Sequence, residues 1–191
     1  MSHWPASTKE TDQVTHPAHL TFNELAEGSG SLPRSPAISG SVEMIVVRPD
    51  DNVRATPETI ELSRGSGVAD DHWSRGRYAD KPEMQLSLMN AHVLDLIAGT
   101  RTRWPLAGDN LVVNFLSRES LHAGTHLASG TAVIEISERA HRGCAKFSAR
   151  FGEAAREFVN HGDGPERRLR GVYATVVEEG IVSLGDVIKR V

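Results

Sequence analysis

Ala128-Ser129-Gly130-Thr131-Ala132-Val133-Ile134-Glu135-Ile136-Ser137 carries the clearest strand signal in the chain. A turn of small residues through Gly130 opens it, and β-branched side chains crowd the positions that follow. Toward the C-terminus, Phe147, Phe151, Ala155 and Phe158 recur at helical spacing and predict one amphipathic helix that ends near Gly162-Asp163-Gly164-Pro165. Gly171 to Val177 and Ile181 to Val191 read as two strands joined by Glu178-Glu179-Gly180 in a hairpin.

Toward the N-terminus the same kind of element recurs. Leu111 to Phe115 is a strand. Asn90 is placed to cap a short helix carrying Val93, Leu94 and Ile97 and closed by Gly99. Met84, Leu86 and Leu88 alternate with polar residues as a half-buried strand does. Thr59 to Leu62 forms another short strand, and Val42 to Val47 one more, stopped by Arg48-Pro49 because proline cannot donate to a ladder. The polar, glycine-punctuated stretch from Arg64 to Pro82 is too long for an idle connection and marks a candidate site loop. Residues 1–37, with four prolines, no apolar period and the run Gly28 to Pro36, read as a flexible N-terminal tail ahead of one domain spanning 38–191.

About seven short strands and one or two helices, without strict strand–helix alternation, predict a mainly β (α+β) fold. A closed or nearly closed β-barrel with appended helices manages the edges of so many strands. Its 191 residues suffice for a real core, and 25 acidic against 21 basic side chains leave a net charge of −4. That balance, with only 5% aromatics, argues against nucleic-acid binding. No apolar stretch approaches the ~20 residues of a membrane span. The N-terminus lacks the order of a signal peptide, so a cytoplasmic location is expected.

A single cysteine, Cys144, excludes an internal disulfide. It sits in His141-Arg142-Gly143-Cys144-Ala145-Lys146-Phe147, where Arg142, Lys146 and a helix N-terminus favour thiolate. Gly143 is expected to leave open space beside the sulfur. A cation-rich loop is a poor place for a merely packed cysteine, so sulfur chemistry or soft-metal ligation is the stronger reading. Asp70, Asp71 and His72 suit imidazole orientation or metal binding, and a solvated turn explains them as well. The remaining histidines, His141 among them, read as solvated or core-edge residues. Arg167, Arg168 and Arg170 form a basic run, a solvated face of which one member suits a phosphate.

Taken in order, these pieces resemble the MOSC domain, named after the C-terminal domain of molybdenum cofactor sulfurase. The resemblance runs from about Ile38 to the C-terminus. It rests on Gly67-Val68-Ala69-Asp70-Asp71-His72, on Gln85, on Gly108-Asp109-Asn110-Leu111, and on Arg142-Gly143-Cys144. Gly171-Val172-Tyr173-Ala174 and Gly180 to Asp186 complete it. Two departures stand out: Gly143 where many members have proline, and Asp109 in place of the usual Glu.

The resemblance implies a barrel linked to the molybdenum cofactor (molybdopterin) or to sulfur transfer. Cys144 is implied as sulfur carrier or molybdenum ligand. Arg142 is implied as a partner of the anionic pterin, with Asp70, His72, Gln85 and Asn110 lining the same pocket. Sulfur would come from a pyridoxal-phosphate cysteine desulfurase, or electrons from a separate donor. Three functions stay open at this stage: a sulfur carrier, a molybdenum enzyme that reduces N-hydroxylated compounds, and a non-catalytic binding barrel.

Overall fold

The computed structural model describes residues 19–36, 38–114 and 122–191. Its described residues form ten strands and four α-helices. The strands are β1 (Ser39–Ile45), β2 (Thr59–Ser63), β3 (Gly67–Val68), β4 (Leu86–Asn90), β5 (Leu111–Val113), β6 (His126–Ser129), β7 (Ala132–Ala140), β8 (Val172–Glu178), β9 (Gly180–Ser183) and β10 (Val187–Arg190). The helices are α1 (Phe22–Gly30), α2 (Ala91–Ala98), α3 (Ala145–Phe151) and α4 (Glu153–Asn160). Seven strands close a barrel in the order β1-β10-β6-β7-β8-β4-β5, and β3-β2-β9 form a separate three-stranded sheet. The expected fold class is therefore the observed one.

Register fixes which chain segments meet. The end of β1 lies beside the start of β5 (Ile45 opposite Leu111), and the end of β7 beside the start of β8 (Ala140 opposite Val172). Leu88 of β4 faces both Leu111 and Val172, which brings these four strand ends to one rim of the barrel. Residues far apart in sequence (46–48, 109–110, 141–144 and 170–171) are thereby gathered without any local signal.

Two cores share β4 and β5. Leu86, Leu88, Leu111 and Val113 point into the barrel, whereas Met89 and Val112 point outward into a second core with α1 to α4. β4 is thus buried on both faces rather than half-buried, because a helical layer covers what the alternation assigned to solvent. Asn90 caps α2 by accepting from the His92 and Val93 amides, and Gly99 ends it at φ 73°, both as the sequence predicts.

Four expectations need correction. First, residues 22–30 are not tail: Thr21 and Glu24 form a capping box, Leu25 is buried, and Phe22 meets Phe158 edge-on at 6.3 Å. One apolar anchor and a cap stabilise this short helix where periodicity is too brief to register. Residues 1–18, with His3 and His16, lie outside the described residues. Second, the helix expected through Phe147 and Phe158 is two helices broken at Gly152 (φ 92°), though all four core-facing residues remain buried. Third, β8 and β9 are not partners in a hairpin: β9 leaves the barrel and pairs with β2, while β10 returns to β1 and β6. Fourth, the strand over 111–115 ends at Val113, and Phe115 lies outside the described residues.

Candidate functional site at one rim of the barrel

The rim is organised by a buried polar network. Asp71, the N-cap of the 3-10 turn His72–Arg75, accepts from Arg48 Nε at 2.8 Å, Arg48 Nη2 at 3.0 Å and the backbone amides of Arg48 and Trp73. Asn110 completes it, donating to Asp71 Oδ2 and the Val46 carbonyl and accepting from Arg48 Nη2 and the Ser87 amide. Burial alone would raise the Asp71 carboxyl. The bonds and charge of Arg48 outweigh it and hold the group below the ordinary carboxylate range.

Of the two adjacent aspartates the structure uses Asp71. Asp70 is exposed in left-handed backbone (φ 61°), where it turns the chain. His72 is half-buried. Its Nδ1 lies 2.9 Å from the Arg48 carbonyl, which only accepts, so Nδ1 carries hydrogen. Gln85 is a lock rather than a pocket wall: Nε2 donates to the Arg64 carbonyl and Oε1 accepts from the Val176 amide, tying the long loop to β8. Asn110, fully buried, positions Arg48 and Asp71 without facing solvent.

A second buried cluster adjoins the first. Arg170 Nη1 donates to Asp109 Oδ2 at 2.7 Å, and His141 Nδ1 stands 3.5 Å from Asp109 Oδ1, beyond hydrogen-bond reach. Asp109 Oδ1, His141 Nδ1 and Arg170 Nε have no hydrogen-bond partner among the described residues. The His141 ring stacks on Tyr173 at 4.1 Å between centroids. Burial, reinforced by Arg170 and Arg48, drives His141 well below its usual pKa, and burial pushes the Asp109 and Tyr173 groups up. His141 is therefore the core-edge member of the two alternatives the sequence left open, its ring buried against Tyr173 rather than solvated.

Cys144 occupies the N-cap position of α3 with its side chain exposed and making no capping bond. Lys146 is engaged with Asp51 at 3.0 Å, and that bond holds Asp51 below the ordinary carboxylate range. Arg142 is exposed and has no ion-pair partner among the described residues. Gly143 is not open space. A Cβ there would meet Val159 Cγ2 at 3.0 Å and Arg156 Cγ and Phe147 Cδ1 at 3.3 Å. Asn160 clamps its peptide: the Gly143 amide donates to Asn160 Oδ1 and Asn160 Nδ2 donates to the Gly143 carbonyl, each at 2.8 Å. The loop that lacks the family's proline is fixed instead by a side-chain amide and close packing.

Asn110 thus joins Asp71 and Arg48 in one buried network with His72 beside it, Cys144 and Arg142 are exposed on the loop before α3, Asp70 is exposed next to Asp71, and Gln85 is buried between the long loop and β8. Sequence reading singled out Asp71 and Asp109 without their partners, and missed Arg48, His141 and Asn160 as organising residues. Arg48 registered only as the stop before Pro49, and Asn160 gave no signal because its partner is a backbone amide.

A family model described as the MOSC domain matches residues 75–189. This chain belongs to the MOSC domain family. The matched segment of this MOSC domain contains β4 to β10 and Cys144, whereas Arg48 and Asp71 precede it. Among solved structures, the YuaD protein from Bacillus subtilis superposes with TM-score 0.58 at 16% identity, over 82% of this chain and 97% of that one. YiiM from Escherichia coli gives TM-score 0.53 at 17% identity, over 79% and 69% of the two chains. YiiM from Geobacillus stearothermophilus gives 0.51 at 14%, over 80% and 75%. These likenesses establish the shared fold of the MOSC domain. No curated protein matches. Among the described residues no helix is long and apolar enough to cross a membrane.

The donor set suits the cofactor chemistry associated with the family. An exposed thiol is a soft ligand, and the exposed Arg142, two residues away, supplies a cation for an anionic group. The Arg54 and Arg170 Nε atoms are buried donors with no partner among the described residues. Among the described residues no group of three His, Cys, Asp or Glu side chains forms a metal cage, so a metal here would rest on Cys144 and a cofactor's own ligands.

Proposed function

We propose that the protein is a sulfur carrier in which Cys144 receives sulfane sulfur and passes it to a metallo-sulfur acceptor. The observation that supports this is the exposed Cys144 thiol on a loop pinned from behind by Asn160. A carrier cysteine must reach into a donor's site and then an acceptor's without the fold reorganising, and a solvent-facing sulfur on a fixed peptide meets both needs.

In the loading step the Cys144 thiolate attacks the terminal sulfur of a cysteine persulfide on a pyridoxal-phosphate desulfurase. A bond forms from Cys144 Sγ to that sulfur while the donor's S–S bond breaks. The donor cysteine leaves as thiolate and the transferred sulfur keeps its proton, so charge balances and no outside oxidant or reductant is needed. Arg142, exposed and unpaired among the described residues, stands two residues away to meet an anionic acceptor or pterin.

A second reading draws on the concentration of guanidinium groups at the rim, which is more than a carrier needs. In it Cys144 would ligate the molybdenum cofactor, with Arg142 holding the pterin's negative charge and electrons coming from a separate donor protein. When bound, that cofactor would supply two-electron reduction of N-hydroxylated compounds. Intact mass and elemental analysis of native protein separate the two. An added ~32 Da on Cys144 after incubation with a desulfurase and cysteine supports the carrier. Stoichiometric molybdenum lost in Cys144→Ser supports the enzyme. Neither signal leaves a binding barrel.

A further inference from the structure

The two cations that flank Cys144 are not equally free. Arg142 has no ion-pair partner among the described residues, whereas Lys146, in the first turn of α3, is bonded to Asp51 at 3.0 Å across 95 residues of sequence. Asp51 stands at the tip of the loop 48–54 that follows β1. The base of that loop is closed by paired backbone bonds between Val47 and Ala55, each of 2.9 Å. Its first residues are fixed as well: the Arg48 carbonyl accepts from the His72 amide, and the Pro49 carbonyl from Arg75 Nη2. Arg54 Nη1 donates to the Asp51 and Val53 carbonyls and shapes the tip.

Among the described residues, the Lys146–Asp51 contact is the one hydrogen bond from this loop to α3. The Asp51 and Lys146 side chains are 70% and 58% exposed, and ion pairs of that kind are weak and screened by salt. The contact adds little to stability, yet it places a carboxylate against a cation two residues from the sulfur. Arg54 and His72 also lie close enough for their charges to act on Asp51. The carboxylate is a tethered anion on the cation that an incoming anion would meet.

From this asymmetry we infer that Asp51 is a specificity-determining residue for Cys144: it occupies Lys146, withholds that cation from anionic groups approaching the sulfur, and leaves Arg142 to receive them. Anionic molecules are thereby admitted on one side of the sulfur and opposed on the other. A fixed charge beside a reactive group changes the encounter rate of ions and leaves that of neutral molecules alone. The selectivity belongs to access to the thiol. It holds whether Cys144 carries sulfur or ligates a metal.

Cys144 is the one cysteine of the chain, so thiol alkylation reports on it alone. The test compares the rates at which the full chain reacts with anionic iodoacetate and with neutral iodoacetamide at low salt. Both reagents need the thiolate, so the ratio of the two rates cancels any change in thiolate fraction. Asp51→Asn should raise the iodoacetate-to-iodoacetamide ratio at least about threefold. Asp50→Asn removes the same charge from the neighbouring position and should leave the ratio within about 1.5-fold of the parent. In a Lys146→Met background, Asp51→Asn should also change the ratio by less than about 1.5-fold, because the cation it frees is gone. At about 1 M sodium chloride, where the screening length falls to about 3 Å, the parent and Asp51→Asn should converge. The substituted side chains are exposed, and melting temperatures within a few degrees of the parent confirm that the variants fold. An unchanged ratio in Asp51→Asn overturns the inference. So does an equal rise in Asp50→Asn, or a rise that persists in the Lys146→Met background. The rates are measured without desulfurase or cofactor, so a failure of sulfur loading or molybdenum retention leaves this result standing.

Discussion

Asn160, the last residue of α4, holds Gly143 by both polar groups of its backbone, accepting from its amide and donating to its carbonyl at 2.8 Å each. The amide side chain mimics a strand neighbour. It does so directly before Cys144, which links the end of one helix to the position of the reactive sulfur.

Asn160→Ala leaves a buried amide unsatisfied and should cost about 1–3 kcal/mol. Urea unfolding measures it. The family residue should not rescue the loop: Gly143→Pro removes the donating N–H and drives ring atoms toward Val159 and Arg156. A Gly143→Pro variant as stable as the parent would show that the clamp contributes nothing.

Asp71→Ala should be among the most damaging substitutions, at about 3–5 kcal/mol, because it strands the Arg48 guanidinium and Asn110 beside an empty acceptor. Asp70→Ala, on the exposed neighbour, should fall within about 1 kcal/mol of the parent. Paired denaturation curves check the contrast, and equal losses would refute the assignment of the network to Asp71.

Stability should fall as pH drops below the ordinary histidine value of 6.5. The folded pKa of His141 is depressed, so the unfolded chain binds a proton that the native chain refuses. Its stabilising share is complete above 6.5 and is lost toward the folded pKa, at up to about 1.4 kcal/mol per pH unit. Arg170, Arg48, Asp109 and Tyr173 are the charged and titratable groups that act on this ring or lie against it. Thermal melts from pH 5 to 8 should show a shallower slope in His141→Gln, and an unchanged slope would remove His141 as the source.

Leu25→Ala should destabilise the domain by about 2–5 kcal/mol, since Leu25 fills the second core together with Phe158 and Leu94. Differential scanning calorimetry measures it. A melting midpoint equal to the parent's would return α1 to the status of a dispensable tail.

Cys144→Ser should abolish persulfide loading or molybdenum retention at nearly unchanged stability, because the side chain is exposed and serine is a much harder ligand. Intact mass after desulfurase treatment and metal analysis are the readouts. A serine variant that still loads sulfur would place the chemistry elsewhere.

The sequence alone determined the barrel class, the cap of α2 at Asn90, the single cysteine at a strand end and the order of motifs that marks the MOSC family. These are local or composition-level properties: a period of two, a capping side chain, a glycine at positive φ, a residue count. Tertiary structure decided the rest. It chose Asp71 over Asp70, because only a buried carboxylate could be matched to Arg48. It turned His141 and Arg170 inward, sent β9 away from β8, and folded residues 22–30 onto a helical layer. It also closed the space at Gly143. Each of these depends on a partner outside the local stretch of chain, such as Val159 for Gly143 and Phe158 for Phe22, or on burial by another layer. Strand register and packing set such distances, and no window of sequence contains them.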